Sequence, residues 1–219
     1  MSKIGILRRC YRPAGEAISP LSVSFAVTAC NEAVQLDELL SFLELHLREQ
    51  DEIVVQIDAA KSTDDVRDVL EHHHNSIARV AEFALNMDFA AAKNHLNALC
   101  HGDYIFQLDA DEMPSEYLID NVPHIIAANP KIELFKIPRN NCFDNEDGSV
   151  TKFVSWPDYQ GRLYRNRAGI EWRRPLHEKI HGHERYVYLP KEERLAIIHR
   201  KNRVQDTIKW REWTANAGK

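Results

Sequence analysis

Apolar and polar positions change period several times along the chain, and each change marks an element. Residues 21–28 carry Val, Phe and small side chains with no charge among them, as a strand buried on both faces would. Leu36, Leu39, Leu40, Leu43 and Leu47 then recur at helical spacing, a single apolar stripe of about four turns. Ile53-Val54-Val55-Gln56-Ile57 predicts a second strand, and Ser62 or Thr63 offers an N-cap for a helix to about residue 74. Residues 78–84 predict a third strand and 89–100 an Ala-rich helix with Leu96 and Leu99 on one face. The apolar run 104–109 predicts a fourth strand. Strands that alternate with helices of this length build parallel βαβ units, so an α/β fold with a doubly wound sheet is expected.

Beyond residue 112 the texture changes. Residues 115–128 read as an amphipathic helix closed by Asn129-Pro130, and 132–138 as a strand. Asn145-Glu146-Asp147-Gly148 is a hairpin turn signal. Short strands are predicted at 162–164, 170–172, 187–189 and 195–198, and a polar helix with Ile208, Trp210 and Trp213 at 204–217. Nothing resembling a Gly/Ser linker divides the two textures. The expected organisation is one domain over 1–219, with a nucleotide-binding half (21–114), a mixed half with antiparallel strands (115–200) and a helical tail (201–219) that could lead into further domains.

Composition narrows the function classes. The chain has 219 residues, 44% hydrophobic and 28% charged, with a net charge of −5, which argues against a nucleic-acid-binding surface. No apolar run approaches the roughly 18 residues of a spanning helix, and the N-terminus lacks the pattern of a secretory signal. Cys10, Cys30, Cys100 and Cys142 are widely spaced, as reduced thiols would be, so a cytoplasmic protein is expected.

The chemistry concentrates at strand ends. The fourth strand runs into Asp109, Asp111 and Glu112, hard oxygen ligands at the rim of a sheet, where divalent cations bind. In extended chain Asp109 and Asp111, two apart, would face one side. Asn31, Glu32 and Asp58 end earlier strands at the same edge. No Gly-x-Gly-x-x-Gly or Gly-Lys-Ser/Thr sequence is present to cradle phosphates, so a diphosphate would need a cation and basic side chains.

Taken in order, the strand and loop ending Cys30-Asn31-Glu32, the loop Asp58-Ala59-Ala60-Lys61-Ser62-Thr63-Asp64, Asp88-Phe89-Ala90-Ala91-Ala92-Lys93-Asn94 and Gly102-Asp103-Tyr104 through Asp109-Ala110-Asp111-Glu112 form a series. Asp158-Tyr159-Gln160-Gly161-Arg162-Leu163-Tyr164-Arg165 and Pro175-Leu176-His177-Glu178 continue it. The series resembles family 2 glycosyltransferases of the GT-A fold over about residues 21–200. The resemblance implies a mostly parallel sheet flanked by helices, with a smaller antiparallel acceptor side. It implies an inverting, metal-dependent transfer of sugar from a nucleotide-diphosphate sugar, with UDP the expected nucleotide, to a hydroxyl of a glycan, glycolipid or glycoprotein. Peripheral membrane contact is compatible with such acceptors.

Residue by residue, the resemblance assigns Asn31, Glu32 and Asp58 to the base and ribose pocket and Lys93 to the base or diphosphate. It assigns Asp109 and Asp111 to the Asp-x-Asp motif, with Asp111 the direct ligand of Mn²⁺ or Mg²⁺ and Asp109 nearer the ribose. Glu178 aligns with the catalytic base, and His199 with a histidine that completes the metal site. Arg162 and Arg165 are expected on the diphosphate oxygens. The second loop is one residue longer than the family pattern. A sugar nucleotidylyltransferase would need a Gly-rich, basic triphosphate loop in place of Ala29-Cys30-Asn31-Glu32; a silent carbohydrate- or nucleotide-binding module is the other alternative.

Four further groups stand apart from these assignments. His72, His73 and His74 are consecutive on a helix, so they point about 100° apart and read as a solvated face. His177, His181 and His183 could hold Zn²⁺ only if their segment folds back, and no cysteine supports that. Among Trp156, Tyr159, Trp172, Trp210 and Trp213, either Trp156 or Trp172 is expected to face an acceptor sugar, the rest to pack. Arg167, Arg173 and Arg174, with Arg162 and Arg165, could bind an acceptor phosphate or form a solvated basic rim.

Overall fold

The computed structural model describes residues 2–10, 19–144, 149–152 and 156–202. The expected turn at 145–148 and the helix at 204–217 lie outside those residues. A short edge strand, β1 (Lys3–Ile4), comes first. β2 (Val23–Ala29), α1 (Ala33–His46), β3 (Glu52–Asp58), α2 (Asp64–His72), β4 (Ile77–Phe83), α3 (Phe89–Asn97) and β5 (Tyr104–Asp109) then alternate. The remainder is β6 (Glu112–Pro114), α4 (Glu116–Ala128), β7 (Leu134–Asp144), β8 (Val150–Lys152), β9 (Asp158–Arg165), β10 (Glu171–Arg173), β11 (Lys179–His181), β12 (Arg185–Tyr188) and β13 (Ile197–Asn202).

Eleven strands join in one sheet, with spatial order β1-β12-β7-β9-β5-β2-β3-β4; β13 and β8 attach beside β7, and β6 pairs with β13. β5, β2, β3 and β4 are parallel, as the alternation predicts. β9 runs antiparallel between β5 and β7 and joins the two textures of the sequence into one sheet. β10 and β11 form a separate antiparallel hairpin.

Both faces of the parallel strands are covered. Val23, Phe25 and Val27 of β2, Ile53, Val55 and Ile57 of β3, and Tyr104, Phe106 and Leu108 of β5 pack with α1, α2 and α4. The alternate positions Ala26, Val54 and Ile105 meet α3 and the β10–β11 hairpin through Ala90, Leu96, Trp172 and Ile180. Burial of a Val, Leu, Ile or Phe side chain contributes about 1.5–3 kcal/mol, so this double face is the main source of cohesion. Gln56, polar within the second face, donates to the Ala92 carbonyl (2.9 Å) and pairs with His95 (2.7 Å), which fixes α3 against β3.

The expected elements form with shifted ends. The strand expected at 195–198 starts at Ile197, because Glu193–Leu195 is a 3₁₀ turn. β6, only three residues long, was not expected; its partner is β13, far along the chain. No described helix is long and apolar enough to cross a membrane.

Candidate active site

Parallel strands open all their C-terminal ends on one edge, where loops can converge on a ligand. Here β2, β3 and β5 bring Asn31, Glu32, Asp58, Asp109 and Asp111 to that edge. Asn31 is exposed, while the Glu32 carboxylate accepts from the Cys30 and Asn31 backbone N–H groups, each at 3.0 Å. Asp58 is buried and accepts from the Ala60 N–H at 2.9 Å. The Thr63 N–H donates to the Cys30 carbonyl (3.3 Å) and ties the two loops together.

The Asp-x-Asp pair does not stay on one side. β5 ends at Asp109, the chain turns through Ala110-Asp111, and the two carboxylates take different partners. Asp109 accepts from Thr28 Oγ1 (2.8 Å) and Arg162 Nη2 (2.6 Å), with Lys93 Nζ at 3.6 Å. Glu112, fully buried, accepts from the same Arg162 nitrogen (2.5 Å) and from Arg139 Nη1 (2.8 Å), and Arg139 also holds Asp158 (2.6 Å). Burial works to raise the Asp109 pKa, but Arg162, then Lys93 and Thr28, outweigh it and hold the group well below the usual carboxylate range. Glu112 is likewise lowered: Arg162 and Arg139 overcome the cost of burying it. Glu112 is thus a buried ionic anchor under the sheet edge.

Asp111 faces a residue brought from the far end of the chain. β13 pairs with β6 and sets His199 opposite Glu112, which places His199 Nε2 3.3 Å from Asp111 Oδ2. The other ring nitrogen, Nδ1, lies 2.7 Å from Asn141 Oδ1. Asn141 Nδ2 donates to Asp158 (3.2 Å), which fixes the amide so that its oxygen meets the imidazole. The amide oxygen can only accept, so Nδ1 donates to Asn141, and Nε2 is the ring nitrogen that faces the Asp111 carboxylate. Asn141 carries no motif that sequence reasoning could have used.

Glu178 also reaches this edge. Lys93, buried on α3, donates to Glu178 Oε1 at 2.7 Å and stands 4.7 Å over the Trp172 ring. It therefore bridges the Asp109 side and the Glu178 side and is not open to a phosphate. The turn before Glu178 is strained: Arg174 (φ 77°) and His177 (φ 54°) both occupy the left-handed region. Such residues cost roughly 1–3 kcal/mol each and persist where surrounding structure enforces them. One such restraint is the Phe89 N–H, at the start of α3, which donates to the Pro175 carbonyl (3.0 Å).

Several expectations need correction. Arg162 is buried between Asp109 and Glu112, so it organises carboxylates and does not reach a diphosphate. Arg165 sits at the opposite edge, paired in register with Tyr104 at the start of β5, where it donates to Tyr104 Oη (2.9 Å) and the Pro130 carbonyl (3.0 Å). β9 runs antiparallel to β5, so three residues past Arg162 carry the chain about 10 Å away from the acidic edge. Trp172 does not face an acceptor: it is buried and its indole N–H donates to Tyr164 Oη (3.0 Å). Trp156 is half-buried. His73 leaves the solvated face assigned to it, being 4% exposed and bonded to Glu44 and Asp37. Among the described residues, His177, His181 and His183 do not gather as metal ligands.

Comparison with known proteins places this geometry. The model of the family described as glycosyl transferase family 2 matches residues 24–186. No curated protein matches the chain significantly. Among solved structures, the Pyrobaculum calidifontis mannosyltransferase PcManGT in complex with GDP-Man and Mn²⁺ superposes with a TM-score of 0.53 at 15% identity, covering 85% of this chain and 60% of that one. S. aureus TarS 1-349 in complex with UDP-GlcNAc gives 0.55 at 16% identity, over 82% of this chain and 58% of that one. Mycobacterium tuberculosis glucosyl-3-phosphoglycerate synthase with Mn²⁺, UDP and glucosyl-3-phosphoglycerate gives 0.53 at 15% identity, over 86% and 75%. At such identities the likeness is one of fold, and this chain spans about 60% of the length of the first two. The family match takes in most of the sequence, from the start of β2 to the middle of β12, and by it the chain belongs to glycosyl transferase family 2.

Proposed function

We propose that the chain is the catalytic domain of an inverting glycosyltransferase. It would move a sugar from a nucleotide-diphosphate sugar, UDP being the expected nucleotide, to a hydroxyl of a glycan or glycoconjugate. The observation that carries the reading is that one edge of the sheet holds two separate acidic centres. One is Asp111 with His199; the other is Glu178, linked to the Asp109 side through Lys93. Inverting transfer needs such a separation, with leaving-group stabilisation on one side of the sugar and a base on the other.

Asp111 and His199 fit Mn²⁺ or Mg²⁺ by their donor set, a carboxylate oxygen and an imidazole nitrogen 3.3 Å apart, with Asn141 fixing the ring. A bound divalent cation would supply Lewis-acid neutralisation of the departing diphosphate. Asp109, occupied by Thr28 and Arg162, is then better placed toward the ribose than as a ligand. Asn31, Glu32 and Asp58 shape the base and ribose pocket on the same edge. The Lys93 ammonium orients Glu178, and the carboxylate takes the acceptor hydroxyl proton as the new bond forms; general bases of this kind contribute about 10²- to 10⁴-fold.

The test is transfer and hydrolysis of UDP-sugars with and without Mn²⁺, for the wild type, Asp111→Ala and Glu178→Gln. The expected result is Mn²⁺-dependent turnover abolished by Asp111→Ala, and transfer lost with nucleotide binding retained in Glu178→Gln. No turnover with any nucleotide sugar would favour the silent binding module, and equal loss of binding and transfer in Glu178→Gln would make that residue structural.

A further inference from the structure

The trio of His, Cys, Asp or Glu side chains that gathers most closely among the described residues is not at the sheet edge. It is Asp37, His72 and His73, whose donor atoms all lie within 4.8 Å of one another. Asp37 lies on α1; His72 ends α2 and His73 caps it, so the group spans the seam between the two helices. His73 is buried there, with Nε2 2.9 Å from Asp37 Oδ1 and Nδ1 2.7 Å from Glu44 Oε1. Asp37 and Glu44, seven residues apart, stand on one face of α1, and the His73 ring fits between them. Consecutive helical positions diverge, but the helix ends at His72, and the turn brings the two imidazoles within 4.9 Å, edge to face.

We infer that this seam is a transition-metal site of the Zn²⁺ class, with Asp37, His72 and His73 as ligands and Glu44 as the outer carboxylate that orients His73. The inference does not rest on the glycosyltransferase reading. Two imidazoles with one carboxylate suit Zn²⁺, Ni²⁺ or Cu²⁺ better than Mg²⁺ or Ca²⁺, which prefer all-oxygen sets. The second observation is Glu44. A carboxylate on the far nitrogen of a ligating histidine fixes its tautomer and raises its basicity, and such partners recur behind metal-bound histidines. Tetrahedral bonds of about 2.0–2.2 Å separate donor atoms by about 3.4 Å. The Asp37–His73 pair must therefore open by about half an ångström, and His72, within 4.8 Å, must close by at most about 1.4 Å. Asp37 has a half-exposed side chain and His72 is exposed, so both can move that far without disturbing the core. Solvent would fill the fourth position.

A metal here would join α1 to α2. Each helix follows one of the pocket loops, and those loops are already tied by the Thr63-to-Cys30 hydrogen bond. The site is thus a clamp on the helix pair behind the pocket, separate from the Asp111–His199 pair.

The rival is that His73 only bridges two carboxylates, with no role for His72. Titration of the EDTA-stripped full chain with Zn²⁺, by calorimetry and by thermal melting, separates the two. At free Zn²⁺ about 100-fold above its Kd, a metal bound only by the native state should raise Tm by about 5–10 °C. His72→Ala, an exposed change, should leave the melt in EDTA within about 1–2 °C of wild type yet remove that rise and weaken Zn²⁺ binding at least tenfold. Asp37→Asn should weaken binding similarly, and the rise should persist in His199→Ala. Co²⁺ loaded into the wild type should give a visible spectrum that His72→Ala abolishes. No Zn²⁺-dependent rise in the wild type, or a rise that survives both His72→Ala and Asp37→Asn, overturns the inference.

Discussion

Replacing Arg162 by Met tests whether the sheet edge is held by a buried ionic cluster. The methionine keeps most of the stem and removes the charge that Asp109 (2.6 Å) and Glu112 (2.5 Å) share. Breaking a buried ion pair by deleting one partner costs about 3–5 kcal/mol, because the remaining charge stays desolvated. Two features put this case near the lower end. Glu112 keeps Arg139 and the Asp109 N–H (3.2 Å), and Asp109 keeps Thr28 and Lys93. The expected loss is therefore about 3 kcal/mol, which for a chain of this size lowers Tm by roughly 6–12 °C. Urea unfolding followed by tryptophan fluorescence measures it. Adding Glu112→Gln to Arg162→Met should recover part of the cost, since the carboxylate with 0% side-chain exposure is then neutral, with a coupling of about 0.5–3 kcal/mol. A loss below about 1 kcal/mol, or strictly additive effects in the double variant, would refute the reasoning.

Three other outcomes can be checked with standard assays. Ser115→Ala removes the N-cap of α4, where Oγ accepts from the Leu118 N–H (3.1 Å) and donates to the Arg194 carbonyl (2.6 Å); a loss of about 1 kcal/mol is expected in urea unfolding. Glu52 is pushed upward by burial but held below its ordinary value by the Ser24 hydroxyl, the His101 N–H and Arg79, so its contribution is complete above the unfolded value of 4.5 and disappears as pH falls through the lower folded value. Glu52→Gln should accordingly be less stable than wild type near neutrality and show a shallower loss of Tm between about pH 5 and pH 3; parallel Tm profiles would contradict this. Asn141→Ala frees the His199 ring and should raise the Mn²⁺ concentration for half-maximal activity by about 10–100-fold, whereas an unchanged Mn²⁺ curve would remove Asn141 from the metal site.

The parallel half was legible because its information is local. Each of β2, β3 and β5 is an uncharged or nearly uncharged run, and α1 carries one leucine stripe, so period and length identify each element without its partners. The edge they create follows from parallel order alone, which is why Asn31, Asp58 and Asp109 could be gathered from sequence. What could not be read is any pairing set by a distant strand. Arg162 looked like a phosphate ligand because an arginine in a motif has no visible partner until β9 is laid beside β5 and Glu112 comes under it. His73 looked solvated because helical geometry was extended past the point where the helix stops.

The Asp-x-Asp motif shows where sequence spacing stops carrying chemistry. A separation of two predicts that both carboxylates share a side only while the chain stays extended. β5 ends at the first of them, so that prediction lapses at the residue where it was needed. From there the division of roles depends on which partners the sheet delivers: β9 brings a guanidinium to Asp109, and β13 brings an imidazole to Asp111. An aspartate clasped by an arginine in a buried cluster must give up that contact to hold a cation. An aspartate beside an oriented histidine nitrogen gives up only that contact, which a shared cation would replace. The proposal of Asp111 as metal ligand therefore rests on β13 and Asn141, both supplied by chain that lies after the motif.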